Sequence, residues 1–242
     1  MSDWLFDLGN TRLKCAPLLG NGAVGAVVGI DHDGAAFAPG WEALLPQRID
    51  AAFVCSVAAP GLVLALLDAL TRRCGRISVA RTQPARAGVR IAYAQPHRLG
   101  VDRFLALLAA HARAPQAWLV VGIGTALTID LLAADGRHHG GRIAPSPTLM
   151  REALHARAPQ LPVTGGLYGE FAADTIDALA SGCEGAALGV IDRSVAAATT
   201  LLGGPPRLLL HGGGARALLP RLQHAEHAPA LVLEGLARWV RA

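Results

Sequence analysis

The 242-residue chain is poor in aromatic side chains, at 5%, and nearly devoid of lysine: of 22 basic residues 21 are arginine, leaving Lys14 alone. With so few rings the core must be built mainly from Ala, Leu and Val. The arginine-rich stretch between Asp68 and Asp102 has Tyr93 as its single aromatic and offers no platform for stacked bases, so nucleic acid is a poor guess for a partner. The four cysteines, Cys15, Cys55, Cys74 and Cys183, form no CxxC pair. That spacing argues against a zinc knuckle or a disulfide frame and for free thiols in a reducing cytoplasm. A basic leader is missing as well, since Asp3 and Asp7 stand where a signal peptide would carry positive charge. The longest uncharged run, Ala51–Leu67, is interrupted by Pro60-Gly61 and falls short of the roughly 20 apolar residues of a membrane span. The expectation is a cytoplasmic protein with neither membrane nor nucleic acid as partner.

What is abundant is small and apolar: 52% hydrophobic residues against 17% charged, with 47 Ala and 28 Gly. This composition supports a real core and excludes a solvated linker. Enrichment in Ala, Arg and Gly together reflects coding bias, so arginine stands wherever any basic residue serves, and the one lysine marks a position to watch. The net charge is only +4, yet seven arginines and no carboxylate lie between Asp68 and Asp102. An arginine-rich solvated surface and an electropositive wall for an anionic ligand both fit that stretch.

The spacing predicts alternating strands and helices. Trp4–Leu8 reads as a strand ending in the turn Gly9-Asn10-Thr11, followed by candidate strands at Leu13–Leu18 and Ala23–Ile30. Ala52–Val57 is a short buried strand, Leu62–Leu70 a helix, Ile77–Ala80 a strand and Val101–His111 a helix. Trp118–Val121, the turn Gly122–Thr125 and the strand Ala126–Leu132 then repeat the opening pattern, with Gly124 lying 115 residues after Gly9. That recurrence points to a duplicated α/β domain. Beyond Leu161 the chain reads as mostly helical, with a long small-residue helix over 172–202, a strand at Arg207–Leu210 and a last helix at Leu231–Val240.

Several constellations could carry chemistry. In Asp7–Lys14 a glycine turn between strands aims backbone N–H groups at one spot, Asn10 and Thr11 add donors, and Lys14 brings a point charge suited to phosphate. Asp7 could hold Mg²⁺ directly or through water. The same residues also make an ordinary hairpin turn. Gly122–Asp130 repeats the logic with two hydroxyls and one carboxylate. In Gly100-Val101-Asp102-Arg103 the aspartate caps a helix or accepts a hydroxyl proton while Arg103 grips an anion. Gly140–Pro145 and His211–Ala215 are turns on which a base or ribose could lie flat. His224 and His227 could share a metal, although no third ligand is evident; His138-His139 reads as a polar hairpin tip.

Taken in order, these motifs resemble the type III pantothenate kinases, of the actin-like, sugar-kinase-like superfamily. The matching residues are Asp7–Lys14, Cys55-Ser56-Val57 before Pro60, Gly100–Arg103, Gly124-Thr125-Ala126 with Thr128 and Asp130, Gly140-Gly141 with Ile143 and Pro145, and Asp174-Thr175 with Ser181-Gly182. The likeness implies an α/β fold of two duplicated ribonuclease-H-like domains, divided here into residues 1–113 and 114–242. It implies ATP- and Mg²⁺-dependent phosphorylation of the terminal hydroxyl of pantothenate, the first step towards coenzyme A. By the same resemblance Asp7, Gly9, Asn10, Thr11, Arg12, Lys14 and Thr125 bind ATP phosphates, and Asp102 is the general base. Gly100, Val101, Asp102, Arg103 and Thr175, with Tyr93, hold pantothenate, and the Gly213-Gly214 turn lies near the adenosine. The family is dimeric, and the helix over 172–202 is the expected contact in a homodimer. Two positions depart from its pattern. Gly122 stands where a carboxylate usually binds a monovalent cation such as K⁺ or NH₄⁺, so weak or altered K⁺ dependence is expected, and Ser146 replaces a glycine. Gly122 also motivates the alternative of a catalytically impaired relative acting as a regulatory ligand-binding protein; a third reading is a phosphatase of the same superfamily that uses the same turns to hold a phosphorylated substrate and activate water.

Overall fold

The computed structural model describes residues 2–242. It divides into two compact units, one comprising residues up to Pro115 with Asp135–Arg137 and Ala230–Ala242, the other Gln116–Ala134 with His138–Pro229.

The first unit is built on a five-stranded sheet. β1 (Trp4–Leu8), β2 (Arg12–Pro17) and β3 (Val28–Asp31) form an antiparallel meander, and β4 (Ala52–Ser56) and β5 (Ile77–Val79) add in parallel on the other side of β1, giving the order β3-β2-β1-β4-β5. β1 and β4 are rich in buried Leu, Phe and Val because β1 is central and β4 has a partner on each side. α1 (Pro60–Thr71) begins with proline at its first turn, where the missing N–H is no loss. It lays Leu62, Leu66 and Leu70 into a core shared with Phe6, Leu13, Ile30 and Val54. A two-stranded ribbon follows, β6 (Ala85–Arg86) and β7 (Val89–Arg90), then α2 (Val101–Arg113).

The second unit repeats this plan. β8 (Trp118–Ile123), β9 (Ala126–Leu132) and β10 (His138–Pro145) are the antiparallel meander, and β11 (Arg207–His211) and β12 (Ala225–His227) are the parallel additions, in the order β10-β9-β8-β11-β12. The same order and the same strand senses recur, which is the duplication that the two glycine turns suggested. α3 (Pro147–Arg157) and α4 (Thr175–Leu202) follow the meander, and α5 (Ala215–Leu218) follows β11. α4 packs Ala187, Ile191 and Ala198 against Leu119, Val121, Ile129 and Leu210 of the sheet. Among the described residues α4 is also the one helix long and apolar enough to cross a membrane, by length and composition only.

The last helix, α6 (Leu231–Arg241), lies in the first unit rather than with the residues that precede it. It docks on α2 so closely that a Cβ on Gly235 would stand 1.9 Å from the carbonyl oxygen of Leu105. Arg113 pairs with Glu234, and Arg86 donates to the carbonyl of Trp239 while lying over its ring. The division at 113/114 therefore differs from the compact units in this helix and in the β9–β10 turn.

Other local expectations shift as well. Residues 23–27 are not strand, and β3 begins at Val28. β8 continues through Gly122 and Ile123, leaving only Gly124-Thr125 as the turn. Residues 158–174 contain no helix, whereas 147–157 do: Ser146 caps α3 by accepting the Leu149 N–H at 3.2 Å, which accounts locally for its presence. α4 begins at Thr175, because Asp174 accepts the N–H groups of Ile176 and Asp177 and so ends the preceding loop.

Candidate active site

In the first unit, register brings the charged residues of the opening motif together. Asp7 sits opposite Lys14 on β2 and opposite Cys55 on β4. Its half-buried carboxylate accepts from the Cys55 thiol at 3.5 Å. Burial, assisted by the negative charge of Asp102 and opposed by Lys14, raises its pKa to about 6. Burial likewise pushes the Cys55 thiol well above its ordinary value, so this cysteine is packing rather than a nucleophile. The Asp7 carboxylate at the strand end is a hard oxygen donor of the kind that suits a divalent cation.

The β1–β2 turn is braced from outside. The Gly9 N–H donates to the Arg12 carbonyl at 3.0 Å, and His32 Nε2 lies 3.0 Å from the Gly9 carbonyl. Because His32 Nδ1 accepts the Gly34 N–H at 3.1 Å, the proton is on Nε2 and is donated to Gly9. The His32 ring meets Phe37 edge-on, and Phe37 stacks on Trp41. Asn10 and Thr11 are exposed at the tip. Arg12, also exposed, is held by Asp31 on β3, which lowers the pKa of that carboxyl.

The first turn of α2 holds the second group. A Cβ on Gly100 would stand 2.6 Å from Asp102 Oδ1, so glycine at the N-cap is what makes room for this carboxylate. The same oxygen accepts the Arg103 N–H at 2.8 Å. Arg103 is 6% exposed, and its guanidinium donates to the Tyr93 hydroxyl at 3.4 Å. Tyr93, Ala94, Gln95 and Arg98 line a cavity of about 270 Å³. Most of the arginine-rich stretch serves structure: Arg72 and Arg73 pair with Glu42, Arg76 covers the Phe53 ring, and Arg90 pairs with Asp135.

In the second unit Gly124 and Thr125 are exposed at the β8–β9 turn, closed by the Gly124 N–H donating to the Ala126 carbonyl at 3.0 Å. Asp130 is no open ligand, since it is 2% exposed and its Oδ1 lies 3.0 Å from His138 Nε2. His138 is thereby a buried strand residue; the hairpin tip is residues 134–136, and only His139 fits the surface expectation in part. Thr175 is exposed at the start of α4, and Val101 is half-buried at the start of α2. His224 adopts left-handed backbone and His227 lies on the edge strand. Among the described residues no three metal-binding side chains cluster.

Comparison with known proteins decides the family. The family model for type III pantothenate kinase matches residues 4–197. The chain belongs to the type III pantothenate kinases. A curated type III pantothenate kinase of Stenotrophomonas maltophilia strain K279a is 62% identical over 239 residues, covering 99% of this chain and 97% of that one. The enzyme of the same name from Xanthomonas campestris pv. campestris strain 8004 is 59% identical over 245 residues, with the same coverage. Two solved structures share the fold. A Campylobacter jejuni chain assigned to the Baf family of transcriptional activators has a TM-score of 0.66 at 20% identity, over 98% of this chain and 97% of that one. An archaeal actin homologue has a TM-score of 0.55 at 8% identity, over 100% and 99%. The chain is thus a kinase of pantothenate on an actin-like frame, with ATP as phosphate donor.

Proposed function

We propose that Asp102 is the general base of this kinase. The primary hydroxyl of pantothenate attacks the γ-phosphorus of ATP, the bond from that phosphorus to the bridging oxygen breaks, ADP leaves, and the hydroxyl proton passes to Asp102. The supporting observation is the α2 turn: the Asp102 carboxylate is folded over Gly100 and pinned by the Arg103 N–H, next to a buried guanidinium that can meet the pantothenate carboxylate. Gly100, Val101, Tyr93, Arg103 and Thr175 hold the acceptor.

Gly9, Asn10, Thr11, Arg12 and Lys14 bind phosphate at the β1–β2 turn, and Thr125 binds phosphate at its own turn. Arg12 exchanges Asp31 for phosphate in doing so. Phosphoryl transfer asks for positioning and charge neutralisation rather than covalent help, and these turns are suited to both. Asp7 would hold Mg²⁺, which when bound neutralises phosphate charge. Catalysis depends weakly on K⁺ or NH₄⁺, because Gly122 offers no side-chain oxygen and Thr128 and His211 occupy the room of one.

The chain works as a homodimer through α4. Support comes from an apolar groove of about 510 Å³ between α3 and α4, lined by Leu149, Met150, Leu154, Leu179 and Cys183. Phe171, fully exposed, and Ile176, at 47%, add apolar surface near the start of α4. A cytoplasmic setting agrees with four free cysteines. The direct test is ADP release from MgATP with and without pantothenate. Turnover only with pantothenate, yielding its phosphate ester by mass spectrometry, is expected; phosphate release without acceptor identifies a phosphatase, and ATP binding without turnover a regulator.

A further inference from the structure

β8, β9 and β11 set Gly122, Thr128 and His211 side by side in one row. It is the topological counterpart of the row Asp7, Lys14 and Cys55 in the first sheet, one residue back from the end of the central strand in each case. Residues opposite one another in neighbouring strands share a face, so the three second-unit positions converge. A Cβ on Gly122 would stand 2.6 Å from Thr128 Oγ1 and 2.9 Å from His211 Nε2. A hydroxyl and an imidazole nitrogen thus close over the space of the missing side chain.

The end of β11 is fixed firmly. Gly212 has φ of +90°, and a Cβ there would meet the Ile123 carbonyl oxygen at 2.3 Å, so only glycine allows this approach. The Gly214 N–H donates to that same carbonyl at 3.0 Å. The ring is therefore held beside the end of β8, two residues before the exposed turn Gly124-Thr125. In the row and its two flanking turns His211 is the only side chain able to carry positive charge.

We infer that His211 is a nucleotide-binding residue: its imidazole, in the room left by Gly122, donates to the ATP polyphosphate held at the β8–β9 turn. The inference rests on the proposal that this turn binds phosphate. It also makes positions 122 and 211 a coupled pair, since any side chain at 122 must displace the ring.

Steady-state kinetics of His211→Ala, His211→Gln, Gly122→Ala, the double variant His211→Ala/Gly122→Ala and Thr125→Ala test it. His211→Ala should raise the KM for ATP about tenfold, the loss of one charge-assisted hydrogen bond, with the pantothenate KM unchanged and kcat within about threefold. His211→Gln, which keeps a donor, should recover part of this. Gly122→Ala should raise the ATP KM by itself but add little in the His211→Ala background. An unchanged ATP KM in His211→Ala, or equal rises for both substrates, overturns the inference. If Thr125→Ala raises the ATP KM while His211→Ala does not, the inference fails and the phosphate-binding turn stands; if neither does, that turn fails too. Should the alanine variant not fold, calorimetry of ADP on wild type, His211→Gln and Gly122→Ala decides, unchanged affinity in both variants being the contrary result.

Discussion

The two sheets have one topology and opposite chemistry. In the first, the row at the end of the central strand is Asp7, Lys14 and Cys55; in the second it is Gly122, Thr128 and His211. The first therefore carries charge of both signs, and burial raises its carboxylate to about 6 in spite of the lysine opposite. The second has no carboxylate in that row, and the one nearby, Asp130, is closed off by His138. Strand order and register are properties of the backbone and of buried apolar residues, so duplication preserves them. The row's side chains stand free of that requirement and can diverge. The frame thus positions two equivalent turns, and the side chains decide which carries charge.

Breaking the charged side should cost most. Arg103→Ala should raise the KM for pantothenate by about 10- to 100-fold, as loss of a hydrogen-bonded charge does, and leave the ATP KM nearly alone. Equal effects on both substrates would mean that Arg103 is a structural residue. Lys14→Arg is the milder change on this side. Guanidinium is broader and planar where ammonium is compact, so the ATP KM should rise, or kcat fall, by about three- to tenfold, on the order of 1 kcal/mol, with an unchanged melting temperature. Wild-type kinetics would return the lone lysine to coding bias.

Asp7 gives the first row a pH signature of its own. Its folded pKa lies near 6, above the 3.8 of an ordinary aspartate. Between those values the folded state binds more protons than the unfolded state, so its contribution to stability falls as pH rises through that window. If the ionised form is the working form, kcat/KM for ATP should instead rise with pH up to about 6. Asp7→Asn should lose the activity and flatten the difference in melting temperature between pH 4 and 7; parallel curves for the two proteins would place the limb elsewhere. The smallest effect belongs to the second row: K⁺ or NH₄⁺ should change the rate by less than about twofold, because no carboxylate stands at Gly122 to bind a cation tightly. A strong requirement for either cation removes that contrast between the rows.

Much of this was legible in sequence because it is local. The strand at Trp4–Leu8, the turn after it, the lysine ending the motif and the repeat 115 residues on are all read from short windows. α3 was missed although Ser146-Pro147 marks its start, because only Arg151 of that helix is buried and its apolar periodicity is faint. His138 looked like a tip residue because its partner Asp130 lies across a hairpin. The place of α6 depends on a glycine-to-backbone contact with Leu105, more than a hundred residues away. His211 looked like part of a glycine turn, and only the parallel pairing of β11 with β8 sets it over Gly122.

The most direct measurement is single-turnover phosphoryl transfer by Asp102→Asn with both substrates saturating. The amide keeps the shape of the side chain but cannot take a proton. Loss of about 10²- to 10⁴-fold in rate, with ATP and pantothenate affinities and the melting temperature near wild type, is the result expected of a general base. A rate within about threefold of wild type would contradict the assignment of Asp102 and return it to capping α2.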